Sequence, residues 1–302
     1  MTLRASRRLQ VAAMLGPGTI WILVCVVLPG LVVLAMSFWR VENYRVIPDF
    51  NLDAYTRILT RPVYLDTMRK SLGIAAVVAM LTLLLAIPLA YVIAFKVRRN
   101  RALWYGLIVM SLWVGYLLRA YAWRIILGSN GILNGFLIDI GVIREPLTFL
   151  LFSPFAVVLT LTHLCLPFAL IPIFGAMEQI PRTLGEAASD LGAGPLRSFL
   201  HVTLPMAAHG ILAGGSFAFI LSFGDFLAPV LVGGPDGVMI SNIAAGQFGA
   251  ALQWPLGSAI ATIMFVIVIG VLAAPSLLSR WLWRGAPRSA AGGAVAPLAE
   301  AK

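Results

Sequence analysis

Six long apolar runs divide this sequence, and each is long enough to cross a lipid bilayer as a helix. One crossing takes about 20 mainly apolar residues. The chain is 60% hydrophobic and only 11% charged, whereas a soluble domain has about 25% charged residues. The runs cover residues 12–37, 71–95, 103–127, 149–176, 207–232 and 257–281. The sequence therefore predicts an all-α polytopic membrane protein with six transmembrane helices, within a membrane domain over residues 12–284.

The basic residues predict the orientation of these helices. Lys and Arg accumulate in the cytoplasmic loops of membrane proteins. If both ends lie inside, thirteen of the 22 basic residues fall on the cytoplasmic side and seven on the other. We therefore expect residues 1–11 and the tail 285–302 to be cytoplasmic. The Ala-, Gly- and Pro-rich tail is expected to be disordered, and the outer loop 38–70 is expected to hold a small folded element.

The first apolar run is expected to be a retained helix rather than a cleaved signal peptide. Arg4, Arg7 and Arg8 precede it, as in the basic region of a signal peptide. The run is longer than the roughly 7–15 apolar residues of a signal peptide, and no clear Ala-x-Ala cleavage site follows.

Several kinds of chemistry have no motif here. Cys25 and Cys165 lie in separate apolar runs without a CxxC partner, and the three histidines share no metal-ligand spacing. There is no GxxxxGK[ST], HExxH or GxSxG sequence. We therefore expect no ATP site, no metal site and no enzyme activity. The net charge of +10 would suggest nucleic acid in a soluble protein, but here it flanks apolar runs, so the expected contact is lipid.

The longest predicted inner connection is residues 178–205, EQIPRTLGEAASDLGAGPLRSFLHVTLP. Thr183 and Glu186 have the spacing of a capping box, which predicts the start of a helix. Gly192 should end that helix, and Pro195 should begin a second short one. The sequence thus predicts two short helices beside the membrane, joined at a glycine.

This connection resembles the EAA loop of ABC-importer permeases. The family pattern is Glu-Ala-Ala, three residues, Gly, nine residues, Ile, any residue and Leu-Pro, and only Val202 departs from it. The resemblance implies that the loop is a coupling helix docking into a cytoplasmic ATPase; the alternative is an interfacial helix that packs only on its own bundle. The residues that carry the coupling prediction are Glu186, Ala187, Ala188, Gly192, Leu204 and Pro205.

Residues 119–135 and 222–237 also resemble permeases of the spermidine/putrescine type. The resemblance implies a type I ABC-importer permease fold in a bacterial inner membrane, with polyamine cargo. It implies a second permease chain, identical or homologous, a periplasmic binding protein and a cytoplasmic ATPase dimer, which would bind ATP and Mg²⁺ in place of this chain. An opine or amino-acid-like cargo is the alternative within the class. A secondary transporter and a membrane enzyme are the rivals outside it.

Asp225 is the only acidic residue within an apolar run. An ionised side chain at the bilayer centre costs about 2.5–3.5 kcal/mol on insertion scales, so such residues usually face the bundle interior or water. Gly224 and Pro229 flank it, and we expect the fifth helix to bend or open there. Asp225 is interpreted as a cargo-path or gate residue, as an ion-pair partner of Arg119, or as a residue at the outer interface.

Aromatic and basic side chains cluster in the third run, which fits either a membrane–water boundary or the outer mouth of a cargo path. Aromatic faces attract amines. Arg119 would oppose a cation but could bind a carboxylate bidentately. His163 is expected to be a helix-packing residue. The predicted substrate path comprises Asp225, Arg119, Trp113, Tyr116, Tyr121, Trp123 and Phe223.

Overall fold

A computed structural model describes residues 14–43, 45–97 and 99–282 of the chain. The first half contains α1 (Met14–Met36), β1 (Arg40–Glu42), β2 (Arg45–Ile47), α2 (Asp53–Thr60), α3 (Pro62–Lys96), α4 (Arg101–Trp113), α5 (Tyr116–Leu127) and α6 (Ile132–Asp139). The second half contains α7 (Pro154–Glu178), α8 (Arg182–Asp190), α9 (Pro195–Met206), α10 (Ala208–Gly224), α11 (Ile240–Phe248) and α12 (Trp254–Leu282). The predicted segments 1–11 and 285–302 lie outside the described residues.

Four of these helices, α1, α3, α7 and α12, are long and apolar enough to cross a membrane alone. Two bent pairs supply up to two more crossings: α4 with α5–α6, bent by 91°, and α9 with α10, bent by 73°. Counting each pair once gives spans 1 to 6 in chain order. The predicted polytopic helical class is confirmed, and the six predicted runs correspond to these six spans.

Spans 2, 4 and 5 form the centre of the bundle, where α3, α7 and α10 pack on one another. Small residues allow the close approach of α10 to α7. A Cβ on Gly210 would come within 2.5 Å of the Pro172 carbonyl oxygen, and one on Gly214 within 2.7 Å of the Ala169 carbonyl oxygen. Membrane helices use small residues in this way, because association in lipid depends on close packing rather than on hydrophobic transfer. Span 1 lies at the edge of the bundle against span 6.

The predicted folded element between spans 1 and 2 is present. The antiparallel hairpin of β1 and β2 pairs Val41 with Val46, and α2 follows it. Arg40 forms ion pairs with Glu42 at 3.2 Å and with Asp49 at 3.3 Å. These contacts tie the hairpin to the chain that leads into α2.

Two helix predictions were wrong. The second span begins at Pro62 rather than at 71, because its first turns are polar on one side while Tyr64 and Met68 are buried in the core. Hydropathy locates the apolar part of a helix and misses such an amphipathic extension. The third run is not one helix over 103–127: its backbone becomes extended at Val114 and Gly115, which produces the 91° bend.

Candidate functional site

The fifth span breaks at Asp225, as the sequence predicted. Helix α10 ends at Gly224, and the Asp225 backbone is extended, with φ −72° and ψ 127°. Its Oδ1 accepts a hydrogen bond of 2.8 Å from the Ala228 backbone N–H. This is the geometry of a helix N-cap, and it starts the short segment that continues as the π-helix Pro229–Gly233. Asp225 therefore shapes the break as well as placing a carboxylate there.

The second carboxylate oxygen of Asp225 accepts a hydrogen bond from the hydroxyl of Tyr116. Tyr116 is the first residue of α5, directly after the bend in span 3. The two broken spans thus meet at one hydrogen bond. The sequence placed both residues in the predicted path but did not identify them as partners, because 109 positions separate them.

The proposed ion pair between Asp225 and Arg119 is not formed. Among the residues that the structure describes, no salt bridge within 4 Å joins these two side chains. The guanidinium Nε and Nη1 of Arg119 are buried and have no hydrogen-bond partner. Burying a donor without a partner costs free energy. The Arg119 guanidinium therefore has donors that a ligand could satisfy. Both oxygens of Asp225, by contrast, already accept hydrogen bonds.

The remaining aromatic residues of the predicted path separate into three environments. Trp113 and Tyr121 are exposed, by 88% and 43%. Trp123 donates a hydrogen bond of 3.1 Å to Nδ1 of His163, so this histidine has a specific partner on a neighbouring span. Phe223 is fully buried in the core and stacks on Phe219, with ring centroids 5.7 Å apart. The structure therefore does not bring Phe223 into the exposed path surface.

An open cleft lies at the break. Its cavity volume is about 420 Å³, and it is lined by Tyr116, Ile220, Leu221, Gly224, Asp225, Phe226 and Leu227. The lining is mainly apolar, with the Tyr116–Asp225 pair as its polar group. Irregular backbone within a membrane span is tolerated where it is enclosed by protein or lines a cavity that water can enter, and the break borders this open cleft.

The connection 178–205 contains the two predicted short helices, α8 and α9. The predicted capping box is wrong: α8 begins at Arg182 after Pro181, with no side-chain cap, so Thr183 lies inside the first turn. The glycine stop is correct. Gly192 has φ +81°, and its N–H donates to the Ser189 carbonyl at 2.9 Å. Together with a bond from Ala193 to Ala188, this forms a Schellman C-cap.

The predicted coupling residues lie at or near the surface of this loop. Glu186, Ala187, Gly192 and Pro205 are exposed, whereas Ala188 and Leu204 are half-buried. Leu191, next to the glycine, is 89% exposed. The loop is braced against the ends of spans 2 to 4: Arg101 pairs with Glu178 at 2.6 Å, and Phe199 packs edge-on against Tyr91.

The architecture defines a polytopic membrane protein with two broken spans, an open and mainly apolar cleft that contains one polar pair, and a braced helix–glycine–helix loop; this arrangement suits a permease. Residues 82–282 match the family described as "Binding-protein-dependent transport system inner membrane component". This chain belongs to that family.

Relatives and solved structures support the same assignment. The chain is 33% identical over 253 residues to the spermidine/putrescine transport system permease protein PotB of Escherichia coli (strain K12), covering 83% of this chain and 91% of PotB. It is 32% identical to the E. coli inner membrane ABC transporter permease protein YdcU, covering 80% and 81%. A bacterial ABC transporter involved in alginate import has a chain of the same fold, with a TM-score of 0.73 at 17% identity over 92% of this chain and 97% of that one.

The fold is therefore that of a type I ABC-importer permease, and the protein is a transport subunit rather than an enzyme. Membership implies an ATPase and a substrate-binding protein as partners, and a multi-pass location in the inner membrane.

Proposed function

We propose that this chain forms part of the translocation path of a polyamine importer, with cargo such as putrescine or spermidine. The observation that carries the proposal is the 33% identity to PotB across 83% of the chain. The site has suitable chemistry: the Asp225 carboxylate faces an open cleft beside the Tyr116 ring. A carboxylate attracts an ammonium group, and aromatic faces add cation–π attraction.

In this proposal, residues 178–205 dock into the ATPase dimer. The exposed small residues Ala187 and Gly192 would let a partner surface approach closely, and exposed Leu191 would be buried by it. ATP-driven closure of the ATPases would move the loop, and with it spans 2 to 4, as a rigid body. Interaction through Glu186, Ala188, Leu204 and Pro205 belongs to the same proposal.

The complex would also contain a second permease chain and a periplasmic binding protein. Apolar side chains at exposed positions of α5, such as Leu118 at 67% and Ile125 at 63%, supply surface for lipid or for that second chain. Both termini would lie in the cytoplasm and the element 38–70 in the periplasm, because thirteen basic residues then fall inside and seven outside.

One observation favours a second cargo class. The buried, unpartnered Nε and Nη1 of Arg119 would repel a diamine but would bind a carboxylate through two parallel hydrogen bonds. A zwitterion, such as an opine or another amino-acid-like solute, could use Asp225 for its ammonium group and Arg119 for its carboxylate.

An uptake experiment separates the two cargo classes. A bacterial strain without other polyamine importers would express this chain with its ATPase, second permease and binding protein, and take up labelled putrescine, spermidine or octopine. For polyamine cargo, we expect uptake of putrescine or spermidine, a loss of about tenfold or more in Asp225→Asn, and little change in Arg119→Gln.

The opposite result would identify the second class. Octopine uptake without polyamine uptake, lost in Arg119→Gln, would overturn the polyamine proposal in favour of a zwitterion. Asp139→Asn is a matched control, because it makes the same change at an exposed carboxylate at the end of α6, outside the cleft; it should transport as the native chain does. The amount of each variant in the membrane would be measured in parallel.

A further inference from the structure

The break in span 5 leaves two backbone carbonyls outside any helical hydrogen-bond ladder. Helix ends have carbonyl groups without partners in their own helix, and Asp225 and Phe226 lie between α10 and the following helical segment. In this structure both carbonyls accept hydrogen bonds from α11. The Ser241 hydroxyl donates to the Asp225 oxygen at 2.6 Å, and the Asn242 side-chain amide donates to the Phe226 oxygen at 2.6 Å.

Asn242 serves both elements at once. Its Nδ2 donates to the break, while its Oδ1 accepts a hydrogen bond of 2.9 Å from the Met239 backbone N–H and so caps α11. The start of α11 and the break in span 5 are therefore held in one fixed relation by a single amide group.

Helix α11 is itself fixed to span 2. The Ile240 N–H donates to the Ser71 hydroxyl at 2.8 Å in a buried position, and that hydroxyl donates to the Thr67 carbonyl at 2.8 Å. Just before α11, the Asp236 carbonyl accepts from the Lys70 ammonium group at 3.0 Å. The break is thus connected through α11 to the centre of the bundle.

We propose that Ser241 and Asn242 are positioning residues for the cargo path: they hold the broken backbone so that the Asp225 carboxylate faces the cleft. This inference rests on the proposed path at Asp225. Neither residue needs to contact cargo. Each acts through a backbone carbonyl, and an unsatisfied carbonyl would favour a different backbone conformation at the break.

The test uses four variants of α11 in the assembled transporter. Ser241→Ala removes one donor, and Ser241→Thr retains it. Asn242→Asp keeps the oxygen that caps α11 but has no N–H for Phe226. Gln247→Ala is the matched control, because it shortens another amide side chain of the same helix with no hydrogen bond to the break.

Two readouts are required. One is uptake of the transported solute. The other is the rate at which a water-soluble methanethiosulfonate labels Gly224→Cys in a Cys25→Ala, Cys165→Ala background. Gly224 lines the cleft, and a Cβ there meets nothing within 4 Å, so the reporter itself fits. Membrane amount and copurification with the ATPase show whether each variant is assembled.

We expect uptake in Ser241→Ala and Asn242→Asp to fall about threefold to tenfold. The labelling rate should change by at least about threefold, with assembly unchanged. Ser241→Thr and Gln247→Ala should match the native protein in both readouts. Native uptake and native labelling in a Ser241→Ala, Asn242→Asp double variant would overturn the positioning role.

The inference and the proposed path can fail separately. If Asp225→Asn transports normally and Gly224→Cys is not labelled, the path itself is wrong, and the positioning role is overturned with it. If Asp225→Asn impairs uptake while the α11 variants behave as native in both readouts, only the positioning role is rejected.

Discussion

At the scale of single residues, Asp225 shows how a charge inside a membrane helix can be both structural and functional. Its Oδ1 caps the helical segment after the break, and its Oδ2 is bonded to Tyr116. A carboxylate with these two partners is retained without an ion pair. The structural and the functional contributions can be separated by substitutions that remove one or both.

Asp225→Asn should be nearly as stable as the native chain, whereas Asp225→Ala should be less stable. Asn keeps an oxygen for the Ala228 N–H, and losing an N-cap costs about 1 kcal/mol. We expect a lower melting temperature in detergent for Asp225→Ala alone, and reduced uptake for both. Equal melting temperatures for the two variants would show that the cap contributes little to stability.

At the scale of elements, Gly192 has a backbone requirement that its neighbour in the same loop lacks. Its φ of +81° is in the left-handed region, where a side chain is strained. Gly185 lies within α8 with helical geometry, and an added Cβ at either glycine meets open space. The two positions therefore differ in backbone conformation rather than in room.

Gly192→Ala should weaken coupling to the ATPase, and Gly185→Ala should not. The strain at position 192 is about 1 kcal/mol and would alter the angle between α8 and α9. Alanine at 185 suits a helix better than glycine. The measurements are copurification of the ATPase and hydrolysis stimulated by the loaded binding protein. Full stimulation in Gly192→Trp, the larger substitution, would reject the docking role of this loop.

The contact between spans 4 and 5 depends on Gly214, and its substitution should destabilise the bundle. A Val side chain there would collide with the Ala169 carbonyl and with Ile173, and overpacking costs about 1–3 kcal/mol. Gly175→Ala on span 4 is the control, since its Cβ meets nothing within 4 Å. We expect a lower melting temperature only for Gly214→Val. A native melting temperature for Gly214→Val would mean that spans 4 and 5 can move apart at this contact without loss of stability.

At the scale of the whole molecule, the two broken spans meet at the cleft, far from the loop 178–205 that we propose docks on the ATPase. Helix α10, which has 17 residues, lies between the cleft and the loop. At 1.5 Å per residue, its length is roughly 25 Å. In the proposed mechanism, a movement of the loop would reach the cleft through spans 2, 4 and 5, which pack on one another. Which side of the membrane the loop faces can be tested directly.

Phe50 should face the periplasm and Leu191 the cytoplasm. Both are well exposed, by 77% and 89%, so a cysteine at either position should be accessible. In a Cys25→Ala, Cys165→Ala background expressed without the ATPase, an impermeant maleimide should label Phe50→Cys in intact spheroplasts. It should label Leu191→Cys only after lysis. The reverse pattern would invert the proposed topology.

The class of a helical protein with several membrane spans, the glycine stop at Gly192 and the break at Asp225 could all be predicted from the sequence alone. Each depends on neighbouring residues: hydropathy over one helix, a backbone conformation that glycine adopts, or Gly and Pro beside an acid. The capping prediction at Thr183 failed within the same loop, because Pro181 precedes the helix and offers no side-chain oxygen. Local spacing alone did not decide which residue began the helix.

Only the tertiary structure decided how the site is assembled. Tyr116 meets Asp225 because the chain turns by 91° before α5, and Arg119 on the same helix is left without its expected partner. Ser241 and Asn242 reach the break because α11 is fixed on Ser71. The sequence determined where the chain can cross the membrane, which depends on local hydropathy. It also determined where the backbone can leave a helix, which depends on local dihedral preference. Which distant groups satisfy the exposed carbonyls and the carboxylate depended on how the spans pack.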